Sequence, residues 1–242
     1  MPKRLRGPFG QNNLLYTLSA ADRALIEPHL QHMKMDRQMV LEEPKKPVRH
    51  AFFLTAGVGS TVALSKTGRS IEVGLFGRDG MSATAVVLQT AQSSFETFMQ
   101  VSGEGFAIEA DQLRELLNQS PSLQRHLLRY VQVLMTQTSQ TALSNGQSKL
   151  EERLARWLLM CHDRINGDKI EMTHEFLSVM LGVRRAGVTV GIHVLEGKGL
   201  IRASRGEITI LDREGLEEEA QGFYGVPEAS YARLIGFDQP AG

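Results

Sequence analysis

The chain has 242 residues, 42% of them hydrophobic and 22% charged, and its 27 basic residues are balanced by 27 acidic ones. That composition excludes a wholly disordered or fibrous chain, and the length suits one large or two modest domains. No apolar run approaches the roughly 18–20 residues of a membrane span, and the single cysteine, Cys161, excludes intrachain disulfides and multi-cysteine metal or iron–sulfur sites.

Taken in chain order, the basic start at residues 1–6 has no apolar core behind it. No secretory signal is expected, and a reducing cytoplasmic setting fits. Ser19 and Asp22 then precede Leu25, Ile26 and Leu30. This predicts a short helix with Ser19 as N-cap and Asp22 in the acid-favouring first turn. From 34 to 110 the pattern changes to short β-branched and apolar runs at 39–41, 51–54, 60–64, 71–76, 95–101 and 106–108. Gly57, Gly59, Gly68, Gly74, Gly77, Gly80, Gly103 and Gly105 are expected to supply the turns between them. Closely spaced short strands point to an all-β roll or sandwich.

Helical patterning returns at 111. Asp111 caps a helix over 112–118, and Ser120-Pro121 opens a longer one in the favoured cap-then-proline order. Leu123, Leu127, Tyr130 and Leu134 recur at spacings of 4, 3 and 4, a heptad seam. Such a seam packs either on the chain's own β-domain or on a second copy. The heptad spacing makes a dimer seam the expectation. Asn145-Gly146 marks a boundary. Residues 149–165 form a strongly periodic helix through Leu150, Leu154, Trp157, Leu158 and Cys161, closed by Asn166-Gly167. Two more helical stretches and a hairpin follow. The last twenty or so residues, with Pro227 and Pro240, are expected to be a weakly specified tail.

The informative segment is 173–196. Thr173 caps a helix with Leu177 and Leu181 on its core face, and Ser178 is small enough for two helices to cross. Gly182 follows where a tight interhelical turn needs positive φ. Val188, Ile192 and Leu195 then give the next helix one apolar face and one free face. This is the pattern of a helix-turn-helix. The free face begins Arg184, Arg185, Ala186, with Thr189 one turn on. An arginine there reaches O6 and N7 of guanine in a major groove. Residues 199–211 read as two strands around Arg205-Gly206, a wing whose tip cation suits a phosphate. Over 176–206 the charges are Arg184, Arg185, Lys198, Arg202 and Arg205 against Glu196 alone, and an acidic stretch over 212–219 follows.

On these residues, the sequence resembles the Crp/Fnr superfamily of bacterial transcription factors. The resemblance covers about 14–219. It is carried by 173–189 and 195–201, with support from Glu152-Arg-Leu-Ala-Arg-Trp-Leu-Leu159 and from the glycine-rich stretch 68–81. It implies an α+β chain: an N-terminal jelly-roll-like β-roll of the cyclic-nucleotide-binding type at 14–118, a dimerisation helix at 120–146, a C-terminal winged helix-turn-helix at 149–219, and a tail at 220–242. It further implies a homodimer, seamed by Leu123, Leu127, Tyr130 and Leu134, on a two-fold-symmetric DNA operator. Thr173, Arg184, Arg185, Ala186, Thr189 and Arg205 would contact double-stranded DNA, and RNA polymerase is a further implied partner.

Two departures matter. Nucleotide-binding members carry a glycine-glutamate pair for the ribose and an arginine on the cyclic phosphate. Here Gly77 is followed by Arg78-Asp79, and the later segment from Gln92 to Phe98 holds no arginine. Cyclic AMP is therefore not assigned, and no cofactor is implied. Gly77, Arg78 and Asp79 are the residues that would touch some other effector. Ala186 stands where the best-known members have a glutamate, so a different operator is expected. Whether an effector gates the protein or the β-roll is only a structural and dimerisation module stays open. An enzyme reading lacks a site: His50 stands alone, His29 and His32 suit a helix surface, and Cys161 continues a buried apolar stripe.

Overall fold

Alternating side chains and bulge-forming glycines build the first unit. The computed structural model describes residues 11–236, so the basic start at 1–6 and Pro240 lie outside the described residues. Strands β1 (Gln31–Met35), β2 (Val40–Glu42), β3 (His50–Leu64), β4 (Ser70–Phe76) and β5 (Glu96–Glu109) form one antiparallel sheet, ordered β1-β5-β3-β4 with β2 also on β5. The runs expected at 39–41 and 71–76 are β2 and β4, whereas 51–54 with 60–64 and 95–101 with 106–108 are parts of two long strands, β3 with 15 residues and β5 with 14. Gly57 and Gly59 of β3, Gly74 of β4, and Gly103 and Gly105 of β5 lie inside strands rather than in turns. The register of β3 on β5 shifts between Ala56 and Val58, Gly57 takes φ +86°, and a Cβ on Gly103 would sit 2.0 Å from the Ala56 carbonyl oxygen. A glycine at a bulge lets a strand bend while its neighbour's backbone comes close.

Helices α1 (Asn13–Tyr16), α2 (Ala20–Ile26), α3 (Thr84–Val87), α4 (Ala110–Gln119) and α5 (Pro121–Gln147) belong to this β-roll unit. Ser19 caps α2 as expected, its hydroxyl accepting from the Asp22 amide. Ser120 caps α5, with Pro121 at its first position. The expected dimer seam is corrected. Leu123, Leu127 and Tyr130 are buried in the chain's own core with Phe53, Met81, Ile108 and Leu113, and Leu134 packs on the same cluster. Heptad spacing shows that one side of a helix is buried, not in what. Here the roll is the nearer apolar partner, and packing on it costs no loss of a second chain's translational freedom.

The second unit comprises α6 (Leu150–His162), β6 (Lys169–Glu171), α7 (His174–Leu181), α8 (Arg185–Gly197), β7 (Ile201–Ser204), β8 (Glu207–Ile210), α9 (Arg213–Glu219) and α10 (Val226–Ile235). Its three strands are ordered β6-β8-β7. The segment expected to be a weakly specified tail is, over its described part, not one. Pro227 lies in the first turn of α10, where its missing N–H breaks no intrahelical hydrogen bond. Tyr231 and Ile235, one and two turns later, are buried in the β-roll's core beside Tyr130, Val131 and Val133. The i, i+4, i+8 spacing of Pro227, Tyr231 and Ile235 is the helical signal that the two prolines mask.

A buried polar cluster joins the units. Glu72 of β4 is wholly enclosed, accepting from Trp157 Nε1 of α6 at 2.8 Å and from the Ser60 hydroxyl of β3. Burial pushes its carboxyl up to about 7, against the opposing pull of those hydrogen bonds and of Arg156 and Arg164. Below about pH 4.5 Glu72 is protonated folded or unfolded. As pH rises towards 7 the unfolded chain ionises first and stability is lost. Glu72→Gln should match the wild type near pH 4.5 and exceed it at pH 8 by on the order of 3 kcal/mol. Thermal melts at the two pH values test this, and a wild type more stable than the variant at pH 8 would contradict it.

Candidate nucleic-acid interface

Local sequence rules set the geometry of α7 and α8. The Thr173 hydroxyl accepts from the Phe176 amide at 3.3 Å and so starts α7. Gly182, at φ +63°, ends it, and the Val183 amide donates back to the Ser178 carbonyl at 2.9 Å. The two helices meet at 101°, within the range of a helix-turn-helix. Val188, Ile192 and Leu195 of α8 are buried. Gly187 and Gly191 let α8 close on α6, since a Cβ on each would already lie 3.3–3.4 Å from Leu150 or Leu154.

The opposite side of α8 is open. Arg184 is its N-cap residue and Arg185 its first helical residue, and both are exposed together with Ala186. Thr189 lies 3.1 Å from His174 Nδ1, tying α8 to α7, and its hydroxyl also donates to the Arg185 carbonyl at 3.3 Å. Val190 and His193 share this outer side. Neither is among the residues expected to touch DNA, although Val188, Ile192 and Leu195 as the inner line place them outward by helix geometry alone. The strands β7 and β8 meet at Arg205-Gly206, where Gly206 takes φ +79° and Arg205 is exposed. The acidic stretch is used internally: Asp212 caps α9, Glu217 pairs with Arg213, and Glu219 with Lys198. Among the described residues Arg184, Arg185, Arg202 and Arg205 have no carboxylate partner.

Residues 152–219 match the family model of the Crp-like helix-turn-helix domain. The chain's fold is similar to that of a transcriptional regulator described as Crp/Fnr-family from Eubacterium rectale, at 21% identity over 86% of this chain and 98% of that one, TM-score 0.67. It is similar to FixK2 from Bradyrhizobium japonicum, at 13% identity over 78% and 96%, TM-score 0.65. It is also similar to the c-di-GMP-responsive global regulator CLP of Xanthomonas campestris, at 15% identity over 79% and 99%, TM-score 0.63. No curated relative matches the sequence. The chain carries a Crp-like helix-turn-helix domain on the fold of the Crp/Fnr regulators.

Within this Crp/Fnr fold, the three residues expected to touch an effector do something else. Asp79 forms a buried ion pair with Arg164 at 2.6 Å, and its other oxygen accepts from the Gly77 amide at 2.8 Å. Arg78 donates to the carbonyls of Asp163 and Ile165 and to the Asn166 side chain, each at 3.0 Å. A Cβ on Gly77 would lie 2.8 Å from that of Arg164. This loop is a clasp between the two units. In the sequence Gly77, Arg78 and Asp79 match only the place of a nucleotide pattern, since their partners at 163–166 lie too far along the chain to be paired by spacing. The neighbouring space is filled by Tyr130, whose hydroxyl donates to the Met81 carbonyl at 3.1 Å and would lie 2.0 Å from a Cβ on Gly80. Burial pushes the Tyr130 hydroxyl well above its usual range, with Asp79 adding to the shift. Cys161 is buried, and burial likewise pushes its thiol up.

Asp79→Asn leaves the Arg164 guanidinium buried without its counter-charge. Loss of one partner of such a pair costs on the order of 3–5 kcal/mol. Denaturant unfolding should show a loss of that size. A change below about 1 kcal/mol, the level of an exposed pair, would remove the clasp from the account.

Proposed function

We propose that the chain is a sequence-specific DNA-binding transcription regulator that acts as a homodimer on a two-fold-symmetric operator. The observation that carries the reading is the open side of α8. Two unpaired arginines stand at the start of the second helix of a helix-turn-helix, with a third at the tip of the adjoining wing. Partners of these groups are base edges and phosphates of double-stranded DNA. Thr173, at the start of α7, faces the same solvent and adds a phosphate contact. RNA polymerase is the further partner implied by the family resemblance. The reading is of a binding protein rather than an enzyme.

The dimer is supported by the other side of α5. Leu128, Met135 and Leu143 are 39%, 59% and 47% exposed there. Leu128, Gln132, Met135, Ser139, Ala142 and Gly146 continue at alternating spacings of 4 and 3, a heptad-spaced stripe of mixed polarity with small residues towards its end. As to gating, the Tyr130 side chain and the clasp favour the constitutive form of the proposal, in which the roll holds the reading units in place and binds no cyclic nucleotide.

Arg184 is the extended N-cap residue and Arg185 the first helical one, so the two side chains leave the backbone in different directions and take separate partners. Arg185→Ala should cost about 1–3 kcal/mol and relax preference at one position of each half-site. Arg205→Ala should weaken all sequences alike and lower the salt slope by about one unit per protomer. Selection from random DNA at two salt concentrations checks both. A motif changed by Arg205→Ala and untouched by Arg185→Ala reverses their roles, and no effect of either removes the helix-turn-helix reading.

The two sides of α5 separate a second expectation. Met135→Glu should leave circular dichroism unchanged and turn a dimer into a monomer in light scattering. Leu127→Glu buries a carboxylate inside the roll and should cost several kcal/mol of fold stability. A Met135→Glu protein that stays dimeric sinks the outer stripe as the interface.

A further inference from the structure

The outer side of α8 carries more than cations. With 100° between successive residues, Ala186 and Val190 fall within about 30° of the direction opposite the buried line of Val188, Ile192 and Leu195. Arg185 and Thr189 lie to one flank of that ridge. Val190 is 62% exposed, more than any other large hydrophobic among the described residues, and Ala186 one turn before it is exposed as well. A lone valine on a protein surface usually needs no explanation. This one crowns the helix that the unpaired arginines flank, where a regulator has its closest approach to bases.

A valine neither donates nor accepts a hydrogen bond. Pressed against an amino group, a ring nitrogen or a carbonyl in the major groove, it would strip that group of water and give nothing back. Of the four bases only thymine presents an apolar group there, its C5-methyl. We infer that Ala186 and Val190 read thymine by seating its methyl group between them, so that each half-site holds at least one thymine chosen by apolar contact. The inference rests on the DNA-binding reading and adds the base class that this part of the helix selects. The flanking arginines hold the phosphates or guanine beside it, and their charge draws the ridge into the groove.

Uracil tests this cleanly, because it is thymine without the methyl. Duplexes are first selected from random DNA by the full-length wild type. Each thymine of the selected half-site is then replaced singly by uracil, and affinities are measured at fixed salt. At one position the wild type should lose about three- to fivefold per half-site, the worth of one buried methyl. Val190→Ala should lose affinity for the thymine duplex to a similar degree and show little further loss with uracil at that position. Arg185→Ala should keep the uracil sensitivity. Because Val190 is exposed, the variant's circular dichroism and melting should match the wild type. A selected motif whose binding is indifferent to uracil at every thymine overturns the inference, as does a Val190→Ala protein with undiminished uracil sensitivity. Failure to select any motif strikes the DNA-binding reading instead, so the two failures are distinguishable.

Discussion

The relation between the two units turns on one buried ion pair. Asp79 and Arg164 meet at 2.6 Å with side chains only 6% and 5% exposed. Burial alone would drive the guanidinium towards its neutral form, but Asp79 and Asp163 reverse the sign and hold it charged. Hydrogen bonds to the remaining donors and acceptors offset part of the cost of burying such a pair, although Arg164 Nε is buried without a partner. Arg164 Nη1 donates to the Met160 carbonyl, and the second Asp79 oxygen takes the Gly77 amide. Position 77 must then be glycine, since a side chain there would overlap Arg164. The loop, the end of α6 and the placing of the DNA-reading unit follow from this geometry.

Other ties keep that placing from swivelling about the pair. Phe98 of β5 meets Phe176 of α7 edge-on at 5.8 Å, and Arg37 lies over the same ring at 5.5 Å. Gly182 closes the turn between α7 and α8 against Ile71 of β4. On the far side, Arg156 donates to the Phe223 carbonyl, and the Tyr224 hydroxyl donates to Asp163 at 2.8 Å. From there α10 returns to the roll and seats Tyr231 and Ile235 in its core. The reading unit is thus fastened at its beginning by α6 and at its end by α10. A fixed placing sets the direction in which α8 and the wing are presented to a partner.

The helix-turn-helix was legible in the sequence because its signals are local. Thr173 as cap, Gly182 as turn and the spacing of Val188, Ile192 and Leu195 all act within a few residues of one another. The α+β class was legible for the same reason. What failed was non-local. Gly57 and Gly103 look like turn residues until two strands are laid side by side and a bulge needs them. The stripe through Leu127 and Tyr130 announces burial without naming the partner, and the roll took it. Arg78 and Asp79 were weighed against a nucleotide because nothing in their own neighbourhood points to residues 163–166. Val190 lies outside the helix-turn-helix pattern of cap, turn and inner line, and only the exposure of its side chain in the fold singles it out.

The balance of 27 cations and 27 anions shows why net charge is a poor guide to what such a chain binds. Four acids near the reading unit are spent at short range: Asp163 on Arg213, Glu219 on Lys198, Glu207 on Lys169 and Asp79 on Arg164. Each of these pairs cancels its own field within a few ångströms. Arg184, Arg185, Arg202 and Arg205 are left without such partners, so the outer side of α8 and the wing stay positive on a chain that is neutral overall. Beyond a Debye length of roughly 8–10 Å the cancelled pairs are invisible to a phosphate backbone, and the uncancelled arginines are what it meets. Of these pairs Asp79–Arg164 fastens the reading unit to the roll, while the other three lie within the reading unit and draw its own acids away from the arginines.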